Sequence, residues 1–327
     1  MPCIQEGILC PQNTRNTSKQ QQLRKRFYTI TQRRQINGWK DFRNWKNYNW
    51  NVRKLATKRK KKRIWEFSKQ NGEPENKKIL NVAKEDFFYP QWLEEWFQKN
   101  PETFGLKSLN KIIHTQTVEH LSRKDKERIL EWIIVQNERT LERRNSIKQG
   151  HKDLFKRLKE DLINIDDSTD YVPSMQIINL FKYFGLIPSL INFKWILLEN
   201  YSSIPFFTSD APVIQYNPID ELENRNKLVK NGCGYLSKGV ALYLPLNTNY
   251  SLLLQNSSDN SFFDDYIIDL GSKWKLKEEN INYYNAKLIF HSNKYLFSNQ
   301  DDFSYCVEIL NKNPEYREEN RKRWEII

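Results

Sequence analysis

The sequence predicts an α+β protein in which a helical N-terminal half packs on a mostly antiparallel sheet formed by the C-terminal half. Between residues 91 and 184, apolar residues recur at helical spacing, and from residue 192 short apolar runs typical of strands replace them. Helices and strands are therefore segregated along the chain, which favours α+β over a doubly wound sheet. Hydrophobic residues make up 38% of the 327 residues and aromatic residues 13%, which is enough to build a core.

The N-terminal half begins with a predicted hairpin and continues with helices. Residues 64–67 alternate between apolar and polar, an Asn-Gly pair supplies a turn, and residues 79–82 form the second strand. Ser122 can cap the helix that follows it, with Asp125 in the first turn. Apolar residues at helical spacing follow this cap from Ile129 to Leu141, and further helices are predicted at residues 91–99, 152–162 and 175–184.

The C-terminal half reads as strands. Residues 193–198 form a continuous apolar run typical of a buried strand, and two short runs at 206–208 and 213–216 flank a turn. Residues 239–246 and 250–254 predict a hairpin. The remaining predicted elements are a helix at 280–289, a strand at 295–297 and helices at 302–310 and 315–324.

Positive charge is concentrated in the first fifth of the chain. The formal net charge is +13, yet residues 1–63 contain 18 Lys and Arg against two acids, a net charge of +16, so the remaining residues carry −3. Cations interleaved with aromatic residues suit phosphate contact and base stacking, which makes residues 19–63 a candidate nucleic-acid-binding segment. The candidate contact residues are Arg24, Lys25, Arg26, Arg33, Arg34, Trp39, Trp45, Trp50, Lys60, Lys61 and Lys62.

Two other interpretations of this segment stay open. It can be a solvated basic tail that makes no contact, or it can result from a start codon other than the authentic one. On any of these interpretations the charge changes near residue 63. We therefore expect residues 1–63 to form a basic arm of atypical sequence, and residues 64–327 to form a single α+β domain.

Several classes of protein and site are disfavoured by the sequence. No run of about 18 apolar residues is present, so no membrane-spanning helix is expected, and the start lacks the pattern of a signal peptide. Four isolated cysteines and four scattered histidines show no zinc-ligand spacing, and we expect no metal and no cofactor. Unpaired cysteines fit a reducing compartment, so a cytoplasmic location is expected.

The first candidate site is the turn Thr208-Ser209-Asp210-Ala211-Pro212, which lies between two apolar strands. A carboxylate at a strand end, fixed by a proline turn, is held in place and partly exposed. Asp210 is therefore a candidate catalytic or ligand-binding acid, with Thr208 and Ser209 as binding residues beside it. The alternative is an Asx turn, in which the Asp210 side chain accepts hydrogen bonds from nearby backbone N–H groups.

The second candidate site is the stretch VQNERTLERRN, residues 135–145. In one continuous helix, Gln136, Arg139 and Arg143 would share a stripe. An arginine beside a glutamine can bind a phosphate or carboxylate, which makes Gln136 and Arg139 candidate binding residues. The alternative is a solvated charged face with partners at i,i+4 spacing, and this alternative is favoured for Arg143 and Arg144.

Several segments together resemble one protein family. They are IWEFSKQNG, NVAKEDFFY, VQNERT, FKWILLEN, PFFTSDAPV, LYLPLNTNYSLLL and NYYNAKLIFHSNKYLFS. In this order they resemble the DUF4238 family, prokaryotic proteins of unknown function, over roughly residues 60–300. The most specific part is the strand, turn and strand unit with Ser209, Asp210 and Pro212, followed by Pro245 and Leu246.

The resemblance implies little about chemistry, because no activity, cofactor or substrate comes with the family. Some members look linked to anti-phage defence, which implies an intracellular effector. Two features depart from the family pattern. Ala211 stands where members usually have Asn, and no histidine precedes His114, whereas members usually open with a His-x-x-Pro-x-x-Tyr-Leu-x-x-Phe signature. These departures weaken any role that requires that amide or that histidine.

Two functional hypotheses follow. In the first, the protein is a defence effector that acts on nucleic acid or a phosphate-bearing substrate, with Asp210 as the acid and Gln136 and Arg139 as the anion-binding residues. In the second, it is a non-enzymatic protein that binds nucleic acid through its basic arm and a partner through its α+β body. A shared cleft for Asp210 and Arg139 favours the first hypothesis, and opposite faces favour the second.

Overall fold

The described chain begins with two strands, continues with most of its helices and then forms the remaining strands. The structure is a computed structural model that describes residues 63–79, 82, 91–161, 172–218, 234–256, 268–269 and 272–321. These residues all belong to one compact unit, Asn44–Ile327. Helices and two mostly antiparallel sheets are combined in this unit, so the predicted α+β class is confirmed.

The helices in the described residues are α1 (Gln91–Phe97), α2 (Thr103–Thr115), α3 (Arg123–Glu138), α4 (Leu141–Asp161), α5 (Val172–Phe184), α6 (Ile187–Leu190), α7 (Glu278–His291) and α8 (Ser304–Lys312). A π-helical turn, Gln98–Glu102, joins α1 to α2, and a 3₁₀ turn, Pro314–Arg317, follows α8. Ser122 caps α3 as predicted. Its hydroxyl accepts the N–H of Asp125 at 3.2 Å, and the Asp125 carboxylate accepts the N–H of Ser122 at 3.3 Å. This capping box fixes where α3 begins.

The strands in the same residues are β1 (Arg63–Ser68), β2 (Pro74–Lys78), β3 (Lys194–Asn200), β4 (Thr208–Ser209), β5 (Ile214–Tyr216), β6 (Ala241–Pro245), β7 (Tyr250–Gln255), β8 (Ile268–Asp269), β9 (Lys273–Leu276) and β10 (Tyr295–Ser298). A four-stranded sheet has the order β2-β1-β10-β4, and all its pairs are antiparallel. A six-stranded sheet has the order β5-β6-β7-β3-β9-β8, in which the β3–β9 pair is parallel and the others are antiparallel.

The six-stranded sheet is buried on both faces. Along β3, Trp195 and Leu197 face the core formed with the helices that precede the sheet, whereas Ile196 and Leu198 face the core formed with α7 and α8. Because both faces are covered, the strand reads as a continuous apolar run instead of an alternating pattern. The buried strand predicted at residues 193–198 is confirmed.

Two predicted elements are wrong, one at each end of the described chain. The second strand of the hairpin is Pro74–Lys78 and not 79–82, because the turn at Gly72, with φ 77°, closes the hairpin early and the following apolar residues pack beneath the small sheet. The helix predicted at 315–324 is a short 3₁₀ turn, Pro314–Arg317, followed by non-helical residues up to the last described one. Its charged sequence has no apolar face that would hold a longer helix on the core.

Neither a membrane span nor a metal cluster is found in the part of the chain that the structure describes. No helix there combines the length and the hydrophobicity that crossing a bilayer requires. No three side chains of His, Cys, Asp or Glu in the same residues are grouped closely enough to hold a metal ion.

Candidate functional site

Helices α3 and α4 meet at a break that the sequence does not predict. Helix α3 ends at Glu138, and Arg139 leaves the helical range with ψ 7°. Thr140 stabilises the break, because its hydroxyl donates to a carbonyl of α3 at 3.0 Å and accepts the N–H of Arg143 at 3.1 Å. A threonine that bonds the backbone in this way ends one helix and caps the next. We call residues 136–145 the α3–α4 elbow.

The elbow separates the side chains that a continuous helix would align, so the predicted stripe is wrong. Arg139 pairs with Glu102 of the π-helical turn, and the two side chains are only 8% and 12% exposed. Gln136 is buried, and among the described residues its Nε2 has no hydrogen-bond partner. Within that part of the chain, no hydrogen bond or ion pair links either Gln136 or Arg139 to Asp210. Arg139 therefore has a closed environment of its own.

Arg143 is fixed on two sides of its guanidinium and open on the third. Its Nε donates to Oε2 of Glu138 at 3.2 Å, and its Nη2 donates to the Tyr183 hydroxyl at 3.0 Å. Glu138 is 1% exposed, whereas 32% of the Arg143 side chain reaches solvent. Among the described residues, Nη1 of Arg143 has no hydrogen-bond partner. Partial exposure beside a buried carboxylate distinguishes this arginine from Arg139.

Further hydrogen bonds fix the backbone and side chains of the elbow. Gln176 of α5 donates to the backbone carbonyl of Glu138 at 2.8 Å and accepts from Nε of Arg144 at 3.0 Å. Asn137 donates to the Tyr235 hydroxyl at 2.7 Å. The solvated charged face predicted for the two adjacent arginines is only partly present. Arg143 pairs with Glu138 and reaches solvent, but α5 supplies one partner to each arginine, Tyr183 to Arg143 and Gln176 to Arg144.

At the elbow, the Arg143 guanidinium stays charged and the nearby Tyr183 and Tyr235 hydroxyls stay neutral. Burial raises the pKa of the Glu138 carboxyl, and the Arg143 guanidinium acts against that rise. Burial alone would lower the pKa of Arg143, but Glu138 raises it above its ordinary value, so Arg143 stays charged. Burial also raises the pKa values of the Tyr183 and Tyr235 hydroxyls, which therefore stay protonated.

The second part of the candidate site is the α7–β10 connection, residues 289–295. The Asp210 carboxylate accepts the backbone N–H groups of residues 293–295 at 2.9, 2.7 and 3.1 Å. The Lys69 ammonium donates to two of the carbonyls, at 2.8 and 2.9 Å. Nη2 of Arg321 lies 3.2, 3.5 and 2.9 Å from three of the carbonyl oxygens. Charged side chains from three remote parts of the chain thus hold this short backbone segment, and charge-assisted bonds of this kind are strong.

The Asp210 carboxylate binds the backbone of this connection. Its N–H partners lie 83 to 85 residues away, so the contact is tertiary and not the local Asx turn that the sequence suggested. Burial raises the pKa of the Asp210 carboxyl, and the three N–H donors and the Lys69 ammonium oppose that rise. Both carboxylate oxygens are engaged in these bonds, which favours a structural role over a catalytic one.

The two residues before Asp210 are held inside the four-stranded sheet. Thr208 and Ser209 form β4, which pairs with β10, and both are fully buried. The Ser209 hydroxyl accepts the N–H of Ala211 at 3.1 Å, which fixes the turn. In the described chain, Oγ1 of Thr208 has no hydrogen-bond partner. Neither side chain presents a surface that a ligand in solution can reach.

His291 lies where the α3–α4 elbow and the α7–β10 connection meet. Burial and the nearby cations Arg321, Lys69 and Arg143 lower the pKa of His291 to about 3. The imidazole is therefore neutral at physiological pH and has one donor and one acceptor nitrogen. The candidate binding residue is Arg143 on the elbow, and His291 lies on the connection that contacts the elbow.

Two side-chain contacts hold the elements of this site together. Nη2 of Arg321 donates to Oε2 of Glu142 at 3.0 Å, and Nδ2 of Asn145 donates to Oδ1 of Asn293 at 3.2 Å. The sequence did not identify His291 or Arg321 as functional candidates. The available signal was the polar triplet His-Ser-Asn between an apolar helix and an apolar strand.

The residues predicted to contact nucleic acid all lie outside the described residues. This applies to Arg24, Lys25, Arg26, Arg33, Arg34, Trp39, Trp45, Trp50, Lys60, Lys61 and Lys62. The structure therefore describes the α3–α4 elbow, the α7–β10 connection and the two sheets, and the basic segment stays a sequence-based prediction.

Comparison with known proteins gives one match. A family model described as "Protein of unknown function (DUF4238)" matches residues 42–302, well over half of the chain. The match begins within the basic segment, earlier than the resemblance over residues 60–300, and it ends just before α8. No curated protein and no solved structure matches the chain. The chain belongs to the DUF4238 family.

Proposed function

We propose that this chain is a cytoplasmic prokaryotic protein of anti-phage defence that acts on nucleic acid or another phosphate-bearing substrate, and that Arg143 binds the phosphate. The supporting observation is that Glu138 and Tyr183 fix Nε and Nη2 of Arg143 while 32% of its side chain reaches solvent. Residues 64–327 form the α+β domain that carries this site, and residues 1–63 form a basic arm.

An arginine held in this way suits an oxyanion. A guanidinium that presents its Nη1–Nη2 edge can donate two parallel hydrogen bonds to a phosphate or carboxylate. Because Glu138 and Tyr183 already restrict the side chain, binding orders few additional torsions.

The residues selected from the sequence act indirectly in this proposal. Asp210 fixes the α7–β10 connection that carries His291. Thr208 and Ser209 hold the turn that contains Asp210. Arg139 anchors the end of α3 through Glu102, so it supports the elbow and does not contact the substrate.

Calorimetric titration with pyrophosphate and with a short oligonucleotide tests the proposal. Arg143→Gln is expected to weaken binding by about 10- to 100-fold, which is the loss of one or two hydrogen bonds to a charged group. The matched control is Arg123→Gln, because Arg123 is an exposed arginine near the start of α3 that pairs only at the surface with Glu127. Unchanged binding in Arg143→Gln, or equal losses in both variants, would contradict the proposal.

The charge distribution favours a second function, nucleic-acid binding without catalysis. Residues 19–63 supply cations and aromatic side chains, while the remaining chain beyond residue 63 carries a net charge of −3. Binding through such a segment releases counterions from the phosphate backbone, so affinity falls steeply with salt. In this alternative, the α+β domain binds a partner and the oligonucleotide leaves the complex chemically unchanged.

Full-length variants distinguish the two functions. Replacing Arg24, Lys25 and Arg26 by Gln in the full chain is expected to reduce the slope of log affinity against log salt by about 2 to 3. Gel analysis of the oligonucleotide after incubation shows whether it has been cut or modified. Binding that does not depend on salt would exclude the basic arm as the binding segment. Modification of the oligonucleotide that is lost in Arg143→Gln would exclude the non-enzymatic alternative.

A further inference from the structure

The chain beyond the family-matched region returns to the candidate site. The match ends just before α8, and residues 314–321, which follow α8, run back across the α7–β10 connection. We call residues 314–321 the C-terminal strap. The ring of Tyr316 lies 4.5 Å from that of Phe290, centroid to centroid, and Glu319 pairs with Lys294 at 3.1 Å. The C-terminal strap is therefore part of the surroundings of the site.

Arg321 is the last described residue of the C-terminal strap, and its side chain is 3% exposed. Its Nη2 lies 3.2, 3.5 and 2.9 Å from the carbonyl oxygens of residues 290–292, and 3.0 Å from Oε2 of Glu142 in the first turn of α4. One guanidinium thus bridges the α7–β10 connection and the α3–α4 elbow. Glu142 immediately precedes Arg143, and the bridged carbonyls include that of His291.

The buried ion pair between Arg321 and Glu142 is better explained by its effect on the arrangement of the two elements than by a gain in stability. Burying Arg321 and Glu142 carries a desolvation penalty that an apolar pair of similar size would avoid. What the ion pair provides, and an apolar pair would not, is a directed bond between two elements that are far apart in the sequence. That bond holds the elbow, which carries Arg143, against the α7–β10 connection.

We infer that Arg321 is a positioning residue for the phosphate site, and that it positions Arg143 by holding Glu142 and the α7–β10 connection together. The inference rests on the proposed function for the identity of the ligand. Arg321 itself is occupied by Glu142 and the carbonyls, so it does not contact the ligand. A residue that supports the site, Arg321, then lies outside the region that the family model matches.

The test compares variants of the full-length chain. Arg321→Met keeps the length of the side chain and removes the charge, whereas Arg321→Lys keeps a cation that can reach Glu142 or a carbonyl. Arg317→Met is the matched control, because Arg317 belongs to the same strap and bonds the Lys69 carbonyl and Asn311, each at 2.9 Å. Its contacts hold the strap without touching the elbow.

Pyrophosphate titration gives the first readout. Arg321→Met is expected to weaken binding by about tenfold or more, as the loss of a supporting residue does elsewhere. Arg321→Lys should recover most of that loss, and Arg317→Met should bind like the wild type even where its melting temperature falls. Unchanged binding in Arg321→Met, or equal weakening in the Arg317 control, overturns the inference.

The pH titration of the His291 imidazole, followed by NMR, gives a second readout that needs no ligand. The charged groups near His291 are Arg321, Lys69 and Arg143, with Glu142 paired to Arg321. Removing Arg321 should raise the pKa of His291, because one cation disappears and Glu142 loses its partner. Arg317→Met should leave the titration unchanged. A His291 titration that Arg321→Met does not move contradicts the positioning role.

The two readouts separate failure of the inference from failure of the proposed function. If the wild type binds no pyrophosphate and the His291 titration still shifts in Arg321→Met, the proposed function fails and the structural role of Arg321 at His291 stands. If the wild type binds pyrophosphate and Arg321→Met changes neither readout, the inference fails alone. Should Arg321→Met not fold, Glu142→Gln removes the charge of Glu142 from the same ion pair and is judged by pyrophosphate binding, where an unchanged affinity overturns the inference.

Discussion

Arg139 and Arg143 lie four residues apart and have opposite environments. Arg139 and its partner Glu102 are both almost fully buried, so this ion pair is closed to any ligand. Arg143 has an equally buried partner, Glu138, but a third of its own side chain reaches solvent. The difference comes from the break at Thr140, which turns the chain between them. A buried carboxylate beside an arginine therefore has two uses here, which are to anchor a helix end and to orient a cation toward solvent.

The largest expected effect is on stability and comes from the closed pair. Arg139→Met should lower the free energy of unfolding by about 3–5 kcal/mol, because it leaves Glu102 buried without its partner. Chemical denaturation measures this loss. Affinity for pyrophosphate, corrected for the folded fraction, should stay unchanged, and a selective loss of affinity would place Arg139 in the binding site after all.

Asp210→Asn should have the next largest effect. Asn could replace Asp in a local Asx turn, but here both carboxylate oxygens accept backbone N–H groups, and an amide has only one acceptor oxygen. We expect a loss of about 2–3 kcal/mol in the free energy of unfolding, from at least one unsatisfied buried donor. A melting temperature equal to that of the wild type, together with lost activity, would restore the catalytic interpretation of Asp210.

Arg143→Gln should have a smaller effect on stability, and that effect should depend on pH. Burial raises the pKa of Glu138 above 4.5, and removal of Arg143 removes the group that opposes this rise. Because the folded-state pKa of Glu138 then lies further above its unfolded value, stability is retained below pH 4.5 and lost as pH rises through the folded-state pKa. We expect a loss of about 1–2 kcal/mol at pH 8, moderated by solvent around the partly exposed arginine.

The double variant Glu138→Gln, Arg143→Gln is the control for that pH dependence. It removes the buried carboxyl whose ionisation becomes unfavourable, so its unfolding free energy should be nearly flat between pH 5 and pH 8 relative to the single variant. A single variant that is equally stable at both pH values would show that Glu138 is not the group that responds.

The smallest effect is expected at Arg123, which serves as the reference for an exposed arginine. Its guanidinium pairs with Glu127 at 3.2 Å, but its side chain is largely exposed. Arg123→Gln should change the free energy of unfolding by less than about 0.5 kcal/mol. A larger loss would mean that surface ion pairs in α3 are stronger than usual. The stability losses expected for Arg139→Met and Arg143→Gln would then have to be compared with this larger reference value.

Much of the fold could be predicted because its signals are local. The capping box at Ser122 and the apolar run of β3 depend on residues within a few positions of each other. The segregation of helices before strands is likewise visible along the sequence. Element bounds failed where a tertiary contact decides them, as at the end of β2, where the apolar residues that follow pack beneath the small sheet.

The candidate site was harder to predict because its residues come from distant segments. Arg321 and Glu142 are 179 residues apart, and no periodicity relates them. Helical spacing also failed at Thr140, since a single threonine fits a continuous helix as well as a cap. The sequence predicted a turn at Asp210, but only the tertiary structure identifies the distant backbone that its carboxylate holds.

The pairing of β1 with β10 has a consequence for folding during synthesis. Strand β10, which pairs with β1 in the sheet, is synthesised about 230 residues after it. At ribosomal speed this delay is on the order of 10–50 s. During that interval the β1–β2 hairpin has no third strand, and isolated hairpins are marginally stable. Ile64 and Phe67, both buried in the finished protein, then stay uncovered. A nascent chain that stalls before β10 therefore exposes an unpaired apolar strand edge, which is a site for chaperone binding or aggregation.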